Sequence, residues 1–298
     1  VKQQAPNKRI GSGHVLSFDV EEYFQVEAAK EGGMTSEKWS QYPSRINMQV
    51  DRVLGILDEF QTKGTFFVLG SVAKKHHDVV KRIADQGHEI ASHGMTHQML
   101  TRLTPDEFAD ELRESRKILN DITGAEVIGF RAPTFSITHK NPWAIDVLAE
   151  CGYTYDSSVF PVVHKRYGVP DVSRWTHIAA GPGGGKVIEL PPATLRIFKR
   201  NIPIGGGGYL RLFPVRFVAA GLKAAQHHRI GGMIYMHPWE FDPGQPVTPM
   251  SRGNRFRHRV NLSRTERKLR YLLKRFHFQT AEQYVKSVTS DNLETFEY

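Results

Sequence analysis

The sequence predicts an α/β protein built on a largely parallel sheet, and three observations carry that expectation. Short apolar runs alternate with segments of helical period from one end to the other, the mark of repeated βα units. The chain has 298 residues, 40% hydrophobic and 24% charged, enough to bury one large core without disulfide staples. Finally, the residues able to do chemistry fall where predicted strands end, as they do when the loops after parallel strands share one mouth.

Taken in order, His14 to Val20 reads as the first strand. Val50, Val53, Leu54, Leu57 and Phe60 then line one helical face, ended by Gly64. Thr65 to Leu69 is the second strand, and Val72, Val79, Val80 and Ile83 form the next helical stripe before Gly87. His88 to Ser92 enters a third strand. Thr104, Pro105 and Glu107 supply an N-cap, a first-turn proline and a capping-box partner for a helix that runs through Leu112 and Leu119 to Gly124. Val127 to Arg131 is the fourth strand. Asn141 and Pro142 start a helix that Gly152 stops, and Tyr153 to Asp156 follows. After a glycine-rich stretch near Gly181 to Gly185 comes an extended Val187 to Leu190. Pro191 to Pro214 reads as irregular, and Gly205 to Gly208 within it as a mobile loop, because the phosphate-loop spacing is absent. A helix over Val215 to Gln226 precedes Met233 to His237, the last clear strand. Ser263 and Glu266 then cap a basic helix whose Leu269, Leu272, Leu273 and Phe276 face inward. With no linker in sight, the expectation is one domain over 1–298, with a core at about 14–242 and an extension at about 243–298.

Charge narrows the partners. Forty Lys and Arg against 31 Asp and Glu give +9, which favours an anionic partner. Ten of those cations lie between Arg252 and Arg275 with Glu266 the one acid there, so an outward positive face that includes Arg267, Lys268 and Lys274 is expected. Such a face suits an anionic glycan or the surface of an acidic membrane; nucleic acid is not expected, since no binding motif accompanies the charge. The single cysteine, Cys151, excludes an intrachain disulfide and a cysteine-based zinc cluster. The sequence shows no apolar leader and no apolar run of membrane-spanning length, so the expected location is cytoplasmic or peripheral to an inner membrane, a removed leader aside.

The candidate site gathers from several strand ends. His93 and His97 in SHGMTHQ are spaced i, i+4, which on a helical turn sets two imidazoles on one face at the separation one metal ion needs. In SFDVEEYF, strand parity points Asp19 and Glu21 to one side, so that one carboxylate can ligate while its neighbour stays free as a base; Glu22 points away unless the strand has already ended. Arg131 in GFRAPTF would keep Asp19 ionised by charge pairing. Tyr23, Phe24, Phe135, Tyr235 and Trp239 sit beside these groups, where sugar rings could stack.

The ordered set SFDVEE, SHGMTH, FRAPTF, YDSS and IYMHPWEFDP resembles the metal-dependent polysaccharide deacetylases of the NodB-homology family, also grouped as carbohydrate esterase family four, from about His14 to Asp242. DVEEYFQV, GGGGYLRLFP and HPWEFDP resemble the subgroup associated with exosortase-linked exopolysaccharide loci, which carries its own C-terminal extension. The resemblance implies a distorted (β/α) barrel of about seven parallel strands with a C-terminal helical extension. It implies Asp19 as general base, His93 and His97 as metal ligands, Arg131 as partner of the base, His237 as general acid and Asp156 as the carboxylate orienting His237.

Two departures from the family pattern stand out. The usual adjacent aspartates are replaced by Asp19 and Glu21 around Val20, with Glu22 following, so the third ligand is Glu21, favoured by parity, or Glu22. The family's Leu-x-His becomes Tyr235-Met236-His237, and Tyr235 and Trp239 are expected to rim the acetyl pocket. Substrate binding is assigned to Thr134, Phe135, Tyr235 and Trp239, with a backbone N–H near Thr134 helping the metal to hold the oxyanion. One divalent ion is expected, zinc by default, although two histidines and a carboxylate suit other ions. The expected reaction is removal of N-acetyl groups from amino sugars of a bacterial exopolysaccharide or its lipid-linked precursor. Hydrolysis of a small cyclic amide is the competing activity on the same fold. A non-haem iron oxygenase would leave Asp19, Arg131 and His237 without roles, and a glycan-binding module with a vestigial site has little use for a base paired to an arginine.

Overall fold

The computed structural model describes residues 13–164, 166–227, 231–288, 291 and 293–298. Its strands are β1 (His14–Val20), β2 (Thr65–Val68), β3 (Glu89–Ser92), β4 (Gly129–Phe130), β5 (Tyr155–Asp156), β6 (His177–Ala180), β7 (Lys186–Glu189), β8 (Thr194–Ile197), β9 (Arg200–Pro203), β10 (Met233–Met236), β11 (Phe278–Gln279) and β12 (Thr295–Glu297). Ten of these form one sheet in the order β10-β1-β2-β3-β4-β5-β7-β6-β12, with β11 pairing β1; β8 and β9 form a separate hairpin. From β10 to β7 all pairs are parallel, and β6 against β7 is antiparallel. The chain leaving β7 returns to β10 through a parallel bridge between Pro192 and Met233. Seven parallel strands thus curve into the expected distorted barrel. β1 lies between β10 and β2 and is buried at every position, as a central parallel strand covered on both faces must be.

Helices cover the strands where the apolar stripes place them. Val50, Val53, Leu54 and Leu57 are buried on the helix Ile46–Glu59. The stripe from Val72 to Ile83 is split at His76 into Gly70–Lys75 and His77–Asp85. Pro105–Thr123 has both halves of its capping box, from Thr104 and Glu107, and stops at Gly124 with φ +68°. Among the described residues no helix is long and apolar enough to cross a membrane.

The segment expected to be irregular contains the β8–β9 hairpin and the helix Gly207–Leu212. Gly205 to Gly208 is a packed seam rather than a mobile loop. Gly206 bridges Tyr235 in parallel, and a Cβ there would sit 1.7 Å from the Tyr235 carbonyl oxygen. Only glycine lets this backbone lie against β10.

The extension holds the helices Arg252–Arg259, Thr265–Leu273 and Ala281–Ser287 as well as β11 and β12. Ser263 lies in a 3-10 turn, and Arg264, without a side-chain cap, precedes the second helix. Lys268 departs from the expected outward face. It is buried and donates to the carbonyls of Leu210, Arg211 and Phe213, because the end of the helix Gly207–Leu212 leaves acceptors that suit an inserted cation. Arg267 and Lys274 are exposed as expected.

Candidate active site

Each reactive side chain sits where its strand ends. Asp19 is near the end of β1, Glu21 just past it, His93 directly after β3, Arg131 directly after β4, and His237 directly after β10. These ends open into one pocket of about 190 Å³ that is lined by Asp19, Glu21, His93, His97, Thr134, Phe135, Tyr235, His237 and Trp239.

Asp19 is clamped. Arg131 Nη1 lies 2.5 Å from Asp19 Oδ1, and both side chains are buried. The guanidinium is held in turn by the hydroxyls of Ser17 and Ser157, at 3.0 and 2.9 Å, and lies 4.0 Å from the centroid of the Phe67 ring.

One ligand atom each from Glu21, His93 and His97 lies within 4.8 Å of the others, and all three residues are buried. Nδ1 of His93 hydrogen-bonds the Arg131 carbonyl at 2.7 Å, which leaves Nε2 for the centre. Glu21 Oε2 stands 2.6 Å from His97 Nε2, and His97 Nδ1 is buried with no hydrogen-bond partner. Two imidazole nitrogens and a carboxylate oxygen converging in a buried space are a donor set that fits a divalent ion. Burial raises the Glu21 carboxyl, but the neighbouring His97, His237 and His93 more than offset this and hold it well below the usual range. Burial pushes the His93 imidazole down to about 4, the neutral form a ligand requires.

The two histidines do not share a helical turn. Residues 93 to 99 form a loop in which Gly94 and His97 take φ of +77° and +56°, and this left-handed backbone brings the rings to 5.5 Å between centroids. Glu22 turns the other way. Its carboxylate accepts from the Ser44 hydroxyl and from the Arg45 and Ile46 N–H groups, so it caps the helix Ile46–Glu59 from a distant segment.

His237 presents Nε2 to the centre, 3.8 Å from Asp19 Oδ2 and 3.6 Å from Glu21 Oε1. Its orienting carboxylate is Glu240, 2.6 Å from Nδ1, and not Asp156. Asp156 is fully buried elsewhere: it accepts from Ser158 and sits beside Glu189, and burial raises both carboxyls. The signal for Glu240 was the i+3 spacing in HPWE, where the helical turn Pro238–Phe241 folds the side chain back onto the histidine. Burial lowers the His237 imidazole, but the hydrogen bond to Glu240 and the charges of Glu21, Glu240 and Asp19 outweigh it and raise the net value. Glu240 is paired in turn with the buried Arg211, whose other donors go to the carbonyls of Arg257, His258 and Val260. Arg211 and Glu240 were missed at the sequence level.

Aromatic side chains wall the pocket. Trp239 Nε1 donates to Glu21 Oε1 at 3.2 Å, and its ring is stacked between His237 and His258, with centroids 4.8 and 4.4 Å away. Tyr235 meets Phe135 edge-on at 4.7 Å. Thr134 and Phe135, just beyond Arg131, both adopt positive φ, at +61° and +53°. Two successive left-handed non-glycine residues beside reactive groups are the kind of strain that a pocket, rather than the core, requires.

Comparison with known proteins bears on this arrangement. Residues 41–155, which contain His93, His97 and Arg131, match the family Polysaccharide deacetylase. Residues 157–286, which contain His237, Trp239 and Glu240, match Domain of unknown function (DUF3473). A peptidoglycan deacetylase-like protein of Gibberella zeae is 31% identical over 157 residues, 48% of this chain and 45% of that protein. The peptidoglycan-N-acetylglucosamine deacetylase of Bacillus cereus is 33% identical over 96 residues, 32% of this chain and 35% of that protein. A chitooligosaccharide deacetylase of Rhizobium leguminosarum bv. trifolii is 34% identical over 101 residues, 33% of this chain and 43% of that protein. The chain therefore spans less than half the length of these curated relatives. Among solved structures, a candidate polysaccharide deacetylase from Mycobacterium smegmatis shares the fold with a TM-score of 0.63 at 21% identity, over 98% of this chain and 96% of that one. Puue allantoinase shares it with a TM-score of 0.57 at 15% identity, over 92% and 88%. Residues 41–155 of the chain thus form a polysaccharide deacetylase domain of the NodB-homology type, carbohydrate esterase family four.

Proposed function

We propose that this chain is a metal-dependent hydrolase that removes N-acetyl groups from amino sugars of a bacterial exopolysaccharide or its lipid-linked precursor. The observation that carries the reading is the meeting of two proton-handling groups, Asp19 and His237, 3.8 Å apart beside the buried trio Glu21, His93 and His97. Glu21, His93 and His97 would hold one divalent ion, zinc by preference, which when bound supplies a Lewis acid for water and for the acetamide oxygen.

The protein groups account for the proton movements. Asp19, held in place by Arg131, takes a proton from the water whose oxygen bonds to the acetyl carbon. His237 gives its Nε2 proton to the amide nitrogen as the C–N bond breaks, since an amide anion is too basic to leave. Acetate and a free amino sugar result. Glu240 holds the Nδ1–H of His237 and so keeps Nε2 turned to the centre. The backbone at Thr134 is our candidate for added oxyanion support, and Phe135, Tyr235 and Trp239 for the walls around acetyl and sugar.

The deciding experiment follows acetate release from short, soluble, N-acetylated oligosaccharides. Release that stops with a chelator and returns with zinc supports the reading. Binding without release would instead describe a glycan-binding module, and turnover restricted to small cyclic amides would describe the competing hydrolase.

A further inference from the structure

The pocket has a wall that the hydrolytic groups do not use. It is made by the helix Arg252–Arg259, which carries four arginines and no acid and presents Asn254, Arg257 and His258 to the same cavity as Asp19 and His237. Two groups on that wall lack partners. The Arg257 guanidinium is exposed and, among the described residues, has no ion pair or hydrogen bond, whereas Arg166 on the same rim is bound to Glu31 at 2.5 Å and Arg211 is bound to Glu240. His258 is 7% exposed, its ring is fixed against Trp239, and its Nε2 is buried with no hydrogen-bond partner. A buried polar atom left unbonded is destabilising, and none of the described residues bonds this one. Room for the arginine is built in: a Cβ at Gly208 would come within 3.3 Å of Arg257 Cγ, so the bare glycine seam lets the aliphatic stem lie along it.

We infer that Arg257 and His258 form a subsite for an anionic group, a carboxylate or a phosphate, on the sugar adjoining the one that loses its acetyl group. The inference rests on the deacetylase reading above. An unpaired guanidinium offers a planar fork of donors that matches either anion, while the fixed imidazole nitrogen bonds a neighbouring hydroxyl or anion oxygen. The surrounding arginines add a positive field that draws such a substrate in. The segment that matches a domain of unknown function would thereby choose the substrate as well as supply the acid.

The test compares acetate release by the metal-loaded protein from three soluble oligosaccharides of equal length: a neutral N-acetylglucosamine oligomer, one with a hexuronate beside the acetylated sugar, and one with a sugar 1-phosphate there. The wild type should favour at least one anionic substrate by about tenfold in kcat/KM, the scale of one charge-assisted hydrogen bond, expressed in KM and shrinking at high salt. Which anion is preferred names the source. Arg257→Glu should abolish or reverse the preference and Arg257→Lys should keep part of it. His258→Phe, which retains the ring stacked on Trp239, should raise KM. Equal rates on neutral and anionic substrates, or an Arg257→Glu loss of the same factor on all three, would overturn the subsite while leaving the deacetylase reading intact. If the wild type releases acetate from none of them, that reading fails by itself. Calorimetric binding of the hexuronate and phosphate oligomers then decides the subsite: uptake lost in Arg257→Glu supports it, and no uptake of either overturns it.

Discussion

Glu21 and Glu22 are neighbours in sequence with opposite surroundings, one beside two histidines and the other under a helix start. Glu21→Ala should therefore lose the metal, whereas Glu22→Ala should keep it and instead lower stability by about 2 kcal/mol, the scale of charge-assisted hydrogen bonds. Elemental analysis and urea unfolding separate the two outcomes; metal loss in Glu22→Ala alone would reverse the assignment. His93→Ala and His97→Ala should each lose metal too. Asp19→Asn should retain it while turnover drops about a hundredfold or more, the usual scale for a removed general base. Glu240→Gln keeps an acceptor for His237 Nδ1–H but loses the charge, so it should lower kcat more than KM and leave the fold intact. Parity made Glu21 legible because β1 runs unbroken to Val20. Glu240 was not legible, because Asp156, in a familiar motif position, competed for its role, and only the backbone turn shows which carboxylate reaches His237.

Among the elements, those with a strong local signal were read to within a residue or two. β1 was, and so was the helix opened by Thr104 and closed by Gly124. Thr104→Ala should cost about 1 kcal/mol, the worth of an N-cap, seen as a lower urea midpoint with unchanged slope. The start of the helix at Ile46 was missed because its cap, Glu22, is supplied by a remote segment. β6, the β8–β9 hairpin, β11 and β12 were missed because strands of two to four residues carry no periodicity of their own and exist through their partners. The convergence of His93 and His97 was foreseen but its cause was not: the spacing suggested a helix, and a left-handed residue in a loop does the work. Lys268 tests how far the extension props the barrel. Lys268→Met should remove the ammonium from the Leu210 and Phe213 carbonyls, while Arg211 keeps its bond from Asn261, and lower stability by about 2 kcal/mol.

For the molecule as a whole, buried histidines set the acid limit. His14, His88 and His177 are each pushed down from 6.5 to about 4, chiefly by burial. Below pH 6.5 the unfolded chain binds protons that the folded one refuses, so stability is full above that value and falls as the pH drops towards 4. Urea midpoints should decline steadily between pH 7 and pH 5, and His88→Gln should flatten the slope; a pH-independent midpoint would contradict this. The exposed cations Arg267 and Lys274 keep a peripheral contact with an anionic membrane as our proposal. Reversing both charges should weaken binding to anionic vesicles at low salt and spare hydrolysis of soluble substrates. The position of β1 also governs how the chain comes into being. Its neighbours are β10 on one side and β2 on the other, with β11 taking the β2 side at the first two residues, so the β10 flank stays bare until the late part of the chain exists. At ribosomal speeds of about 5–20 residues per second, roughly 10 to 50 s separate the appearance of Asp19 from that of His258. Throughout that interval an apolar strand with unpaired backbone groups waits at the exit tunnel, an open invitation to chaperones and to aggregation, and no nascent fragment ending before β10 can hold its catalytic centre together.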